Sequence, residues 1–168
     1  MEYKIIYSDR KTLAISIIDG FPVVRAPRNM DSKTIEQIVL KHKKWIDSHV
    51  VSQKIKREML HSLDESDIKA MKKTAKEYFE DKTAYYADIM GLTYNKITIT
   101  SAKGRFGSCN TKGGICFSYR LMLYPEAARE YVVVHELAHL KEMNHSSKFY
   151  KIIERVMPDY KERKRLLK

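Results

Sequence analysis

The period of apolar positions changes several times along the chain, and each change marks an element. Residues 3–7, 12–18 and 21–25 are short apolar runs that read as strands, the last two joined by Asp19-Gly20, a strong hairpin signal. Pro22 has no backbone N–H to give to a ladder, so it sets a strand start or a sheet edge at that point. After Asp31-Ser32, whose side-chain oxygens suit an N-cap, Ile35, Ile38, Val39, Trp45 and Ile46 recur at helical spacing. They predict one long amphipathic helix with Lys41, His42, Lys43 and Lys44 on its wet side. Trp45, the only tryptophan, is read as a core anchor.

Polar residues 62–66 interrupt the pattern and mark a joint between an N-terminal β-hairpin and helix subdomain, 1–62, and a second domain, 63–168. Beyond it Ile68, Met71, Ala75, Tyr78, Phe79, Tyr85, Tyr86, Ile89 and Met90 recur at three- and four-residue steps, a second long helix ending at Gly91. The strand pattern resumes at 96–100, continues after a bulge through 104–109, turns at 110–114 and runs back along 115–123. Pro125 suits the first position of the next helix, where its missing N–H costs nothing. A last helix, capped by Ser146 or Ser147, carries Phe149, Ile152, Ile153, Val156 and Met157 on one face; Pro158 stops it and a short basic tail remains.

The helix after Pro125 contains Val134-His135-Glu136-Leu137-Ala138-His139. Residues four apart on a helix differ by about 40° around the axis and their Cβ atoms lie roughly 6 Å apart, so His135 and His139 can grip one metal ion. Glu136 then lies beside the metal, where a general base for a metal-bound water belongs. The flanking Tyr131, Val132, Val133, Val134, Leu137, Ala138 and Leu140 make this helix apolar nearly all round, hence buried. A buried His-Glu-His calls for a partner such as a metal.

His145 is the third candidate ligand. On an uninterrupted helix it would stand about 240° from His139 and miss the ion, so the helix has to end first. Asn144 suits a left-handed helix end and Lys141 the negative end of the dipole. The spacing H-E-x-x-H-x5-H equals that of metzincins, but Glu142 stands in place of their turn glycine and no Met-turn is assigned. Glu142 and Glu154 remain the rival third ligands.

Composition changes this picture little. A length of 168 residues suits one domain, or one with a small appended subdomain. The net charge of +11 admits a nucleic acid or other polyanion as partner. The basic residues are dispersed, however, concentrating only modestly at 41–44, 54–57 and 161–168, with no interleaved aromatic platform. Cys109 and Cys116 flank the expected hairpin and are read as reduced thiols rather than a secreted framework. Residues 1–10 lack a signal-peptide pattern and no apolar run approaches a membrane span, so a cytoplasmic protein with no membrane association is expected.

Motifs well outside the two histidines have a familiar order: Arg10-Lys11-Thr12-Leu13, Val24-Arg25-Ala26-Pro27, Arg105-Phe106-Gly107-Ser108-Cys109, Arg120-Leu121, Tyr131 through Leu140, Asn144-His145-Ser146 and Met157-Pro158-Asp159-Tyr160. Together they resemble the YgjP-like metallopeptidases, relatives of the SprT-like zincins, over nearly the whole chain. The resemblance implies an α+β architecture: a zincin-like catalytic domain in which a small antiparallel sheet packs on the active-site helix, preceded by a β-rich subdomain and long helices. It also implies one zinc ion on His135, His139 and His145, with Glu136 as base. Phe106 stands where the family usually has Trp, and Met143 where it often has Pro.

The expected activity is zinc-dependent hydrolysis of a peptide or protein, with an extended substrate laid against the strand around residues 103–109. Arg105 is a candidate contact for a substrate carboxylate or phosphate, with a structural ion pair as its alternative. Ser108 is a lesser substrate-binding candidate, and with no base assigned beside Ser108 or Cys109, neither is read as a nucleophile. Two other functions use the same residues: hydrolysis of a nucleotide or phosphoanhydride, and a nucleic-acid-associated module with structural zinc, which would need a fourth protein ligand.

Overall fold

The computed structural model describes residues 1–18 and 20–167, apart from the Arg57 side chain. Asp19 of the hairpin signal, the Arg57 side chain and Lys168 therefore lie outside the described residues. The chain divides into two compact units, residues 1–63 and 64–168.

In the first unit, β1 (Lys4–Ser8), β2 (Ala14–Ile18) and β3 (Phe21–Pro27) form a sheet of order β1-β3-β2. β2 and β3 are antiparallel, but β1 runs parallel to β3. β3 is thus central, which a proline-bearing strand is not expected to be. The reason lies in the register: Pro22 faces Ile17, and pairing with β1 begins one residue later at Val23, so the missing N–H falls outside the β1 ladder. The single long helix expected after Asp31 is two, α1 (Ser32–Lys41) and α2 (Lys43–Ser62). Asp31 caps α1, accepting from the Thr34 backbone N–H at 2.9 Å and its hydroxyl at 2.6 Å. The break is at His42 (φ −98°, ψ 9°), which leaves helical geometry with no glycine or proline to announce it. Val24, Ala26, Ile35, Val39 and Ile46 make the core, with Trp45 packed at its margin.

The second unit begins with α3 (Glu65–Met90), opened by a reciprocal capping box between Asp64 and Asp67 and closed by Gly91 in the left-handed conformation (φ 59°, ψ 46°). Next come β4 (Lys96–Thr100), β5 (Gly107–Cys109) and β6 (Gly114–Ser118), in the order β4-β6-β5. The sheet is small but mixed, correcting the expected antiparallel arrangement: only the β5–β6 hairpin is antiparallel, and β4 is parallel to β6. β4 does not continue into β5. Residues 101–106 carry the chain across to the far edge, and Ser118 pins them there: its hydroxyl donates to Ala102 O at 2.7 Å and its N–H to Phe106 O at 2.8 Å. β6 is also shorter than expected, because the Ser118 side chain accepts from Arg120 N–H and winds Tyr119–Leu123 into a 3-10 helix.

The remaining elements are α4 (Glu126–Ala138), α5 (Ser147–Val156) and α6 (Tyr160–Arg165). Pro125 caps α4 from one position outside it rather than opening it. The basic tail is largely the helix α6, and Arg163 on it clamps α4: its Nη1 meets Glu130 Oε2 at 2.6 Å, while Lys82 Nζ from α3 meets Glu130 Oε1 at 2.8 Å. Burial alone would raise the Glu130 pKa, but hydrogen bonds from Lys82 and Arg163 outweigh it and hold the group below its ordinary value. This stabilisation is present above the unfolded carboxylate pKa and is lost as pH falls through the depressed folded one. Glu130→Gln should therefore cost about 1.5–3 kcal/mol at neutral pH, with the gap to wild type narrowing in strong acid; thermal unfolding across pH checks this. Among the described residues, no helix is long and apolar enough to cross a membrane.

Candidate metal centre

α4 turns Ala128, Tyr131–Val134, Leu137 and Ala138 into the core, as its all-round apolar surface requires. Glu136 is carried in with them and is only 5% exposed. The helix stops at Ala138, well short of Asn144, which corrects where the reversal begins. It ends by tightening: Leu140 N–H donates to Leu137 O at 3.0 Å and Lys141 N–H to Ala138 O at 3.1 Å, the three-residue spacing of a 3-10 turn. His139, the C-cap residue, keeps helical angles (φ −64°, ψ −21°) and so stays on the side of His135. A second tight turn follows, in which Ser146 N–H donates to Asn144 O at 2.7 Å and His145 sits at the centre. Lys141 is also better placed than its dipole reading suggests: its Nζ donates to Met90 O, at the end of α3, at 3.2 Å.

These turns bring His145 back. One nitrogen from each of His135, His139 and His145 lies within 4.8 Å of the others. The Nε2 atoms of His135 and His145 are 3.0 Å apart. Two nitrogens on one tetrahedral zinc, each at about 2.0–2.1 Å, stand roughly 3.3 Å from one another, so the donor set fits that ion with little adjustment. Glu142 and Glu154 do not join the cluster. The Glu142 carboxylate instead accepts from Asn144 N–H at 3.4 Å, while its backbone carbonyl lies 3.2 Å from His139 Nδ1. A hydrogen on that Nδ1 leaves Nε2 bare for a metal, and Tyr131 Oη, 3.3 Å from His135 Nδ1, can do the same for His135.

Electrostatics agree with the geometry. Burial, aided by the neighbouring histidines and Lys164, pushes His135 down to about 3, and burial likewise lowers His139, so both are neutral bases at physiological pH. Burial raises Glu136 to about 7, with the charge of Arg105 opposing the shift. Cys109 is raised by burial first, then by the Glu136 carboxylate and Cys116.

Gly107 is a site residue that its place in a strand-like run concealed. A Cβ built there would stand 2.6 Å from Glu136 Oε1 and 2.8 Å from its Cγ. Bare backbone at the start of β5 therefore forms one wall of the carboxylate's niche. A glycine inside a strand pattern is the signal that could have found it, since such positions often mark a close approach. Arg105 is exposed on the loop before β5, near enough for its charge to act on Glu136. Ser108 is not brought to the niche: it pairs with Cys116 and projects from the face opposite Gly107 and Cys109. The two cysteines sit in different cross-strand pairs, and both are free thiols.

A family model described as a YgjP-like metallopeptidase domain matches residues 53–168. Among solved structures the chain is similar to the metallopeptidase zymogen of Pyrococcus abyssi abylysin, at 31% identity and a TM-score of 0.48, covering 52% of this chain and 89% of that one. No curated protein matches.

Proposed function

The chain belongs to the YgjP-like metallopeptidase family, and from that premise we propose that it hydrolyses peptide bonds at one zinc ion held by His135, His139 and His145, with Glu136 as general base. One observation supports this most directly: one nitrogen from each of three imidazoles lies within 4.8 Å of the others, beside a carboxylate buried on the helix that carries His135. When bound, zinc supplies Lewis acidity, which activates water near neutral pH and polarises a carbonyl. Glu136 Oε takes a proton from the attacking water and delivers it to the amine nitrogen as the C–N bond breaks. A pKa raised to about 7 suits a group that must both accept and return a proton.

Among the described residues no fourth His, Cys, Asp or Glu joins the three imidazoles, and three protein ligands are the number of an open, catalytic site. Among the described residues no strand pairs with the outer edge of β5, so an extended peptide can add to the sheet beside Glu136. Arg105, on the loop leading into that edge, is the group we assign to an anionic part of the substrate.

The reading is tested with the full chain, zinc and an unstructured peptide. Cleavage should stop on chelation and resume when zinc is returned, while nucleoside triphosphates in parallel reactions stay intact. Release of phosphate without peptide cleavage would move the substrate to phosphoanhydrides. His145→Ala should weaken zinc binding by more than the ~10–100-fold typical of losing an outer-shell partner; Glu142→Ala and Glu154→Ala should leave it unchanged.

A further inference from the structure

We propose that Phe149 is a positioning residue for this centre: its ring is the floor on which all three imidazoles are set, and the flat ring, beyond mere burial, fixes their convergence. The proposal rests on the zinc reading above. Phe149 is 0% exposed, and its ring centroid lies 4.9 Å from that of His135, 4.6 Å from His139 and 4.8 Å from His145. These are ordinary aromatic contact distances. Among the described residues, the other rings of the site each meet a single imidazole, Tyr131 that of His135 and Tyr150 that of His145.

The angles explain why a ring is needed. Phe149 stands nearly perpendicular to His135 and His145, at 77° and 86°, yet only 35° from the plane of His139. One group must therefore offer an edge or face of the right polarity to three differently oriented imidazoles, which a branched aliphatic side chain does not do. The imidazoles also depend on it unequally. His135 and His139 have Nδ1 partners in Tyr131 and the Glu142 carbonyl. His145 is exposed, sits in the three-residue turn and, among the described residues, gains no such Nδ1 bond. Ser146 links that turn to the floor: it follows His145 and accepts from Phe149 N–H at 3.4 Å, so one N-cap fixes both the turn and the ring. In the sequence Phe149 belongs to an ordinary amphipathic stripe with Ile152, Ile153 and Val156, which is why its second role is hidden there.

The test compares Phe149→Leu with Ile153→Val, a fully buried position on the same helix outside the imidazole cluster. Zinc affinity is measured by chelator competition, and ligand geometry by the visible spectrum of the cobalt(II)-substituted protein. Phe149→Leu should lose ~10–100-fold in zinc affinity and change the cobalt spectrum, whereas Ile153→Val should lower thermal stability and keep both readouts at wild-type values. If Phe149→Leu does not fold, Phe149→Met serves the same comparison. A folded Leu or Met variant with wild-type affinity and spectrum would overturn the proposal while leaving the zinc reading intact. Wild-type protein that takes up no zinc would sink both.

Discussion

Replacing Glu136 with glutamine is expected to lower peptide hydrolysis by about 10²–10⁴-fold, the usual worth of a general base, without loss of zinc. Glutamine keeps the shape of the side chain but has no basic oxygen. The three imidazoles are untouched, so metal content should equal that of wild type. Stability should move the other way. Burial raises the folded-state pKa of Glu136 to about 7 from an ordinary 4.5, so the folded protein holds a proton that the unfolded chain has released between those values. The Glu136 contribution to the stability of the metal-free protein is therefore lost as pH rises through that window, and the glutamine variant, having no charge to bury, carries no such loss. Thermal unfolding of the two metal-free proteins at pH 4 and pH 8 should show the variant gaining on wild type at the higher pH. Turnover that survives the substitution would remove Glu136 from its role; zinc loss would make the kinetic comparison meaningless for that role and point to a ligand function instead.

Gly107→Ala is expected to do comparable damage with a single methyl group. The added Cβ would meet Glu136 Oε1 at 2.6 Å, Cγ at 2.8 Å and Cδ at 2.9 Å, so the whole carboxylate has to move. Only part of the displacement can be relieved, because Glu136 is buried among α4's core residues. A misplacement on the order of 1 Å at a reacting group can cost ~10²-fold in rate, and a loss of that size in kcat is the expected result. Zinc affinity should be unchanged, since the three atoms nearest the added Cβ all belong to Glu136 and none to an imidazole. A variant with wild-type kcat would show that the niche is looser than its dimensions indicate.

The contrast between Glu136 and Gly107 shows what was legible in the sequence. Helical spacing alone puts His135, Glu136 and His139 together, because a helix fixes the angular relation of near neighbours. The caps at Asp31, Ser146 and Gly91 are equally local and equally readable. His145 needs a chain reversal, to which Asn144 points; the 3-10 tightening after Ala138 that begins it has no residue signature of its own. Strand order was the least legible feature. Apolar runs mark β1, β3, β4 and β6 as strands but do not say which neighbour each strand takes, so the two parallel pairs have no signature in the sequence. Gly107 and the Glu130–Arg163 clamp join elements distant in the chain, and neither partner carries a mark of the other.

The brevity of β5 has its own consequence. It is three residues long, Gly107–Cys109, or about 10 Å at ~3.3 Å per residue. A guest strand laid along it gains few main-chain hydrogen bonds and presents few side chains to be sorted. If a substrate adds there as proposed, so short a stretch would discriminate weakly among sequences and favour a segment already free of its own structure, which alone can reach the edge. Its natural selectivity would then be for conformational state, with frayed or unfolded polypeptide cut ahead of any particular motif.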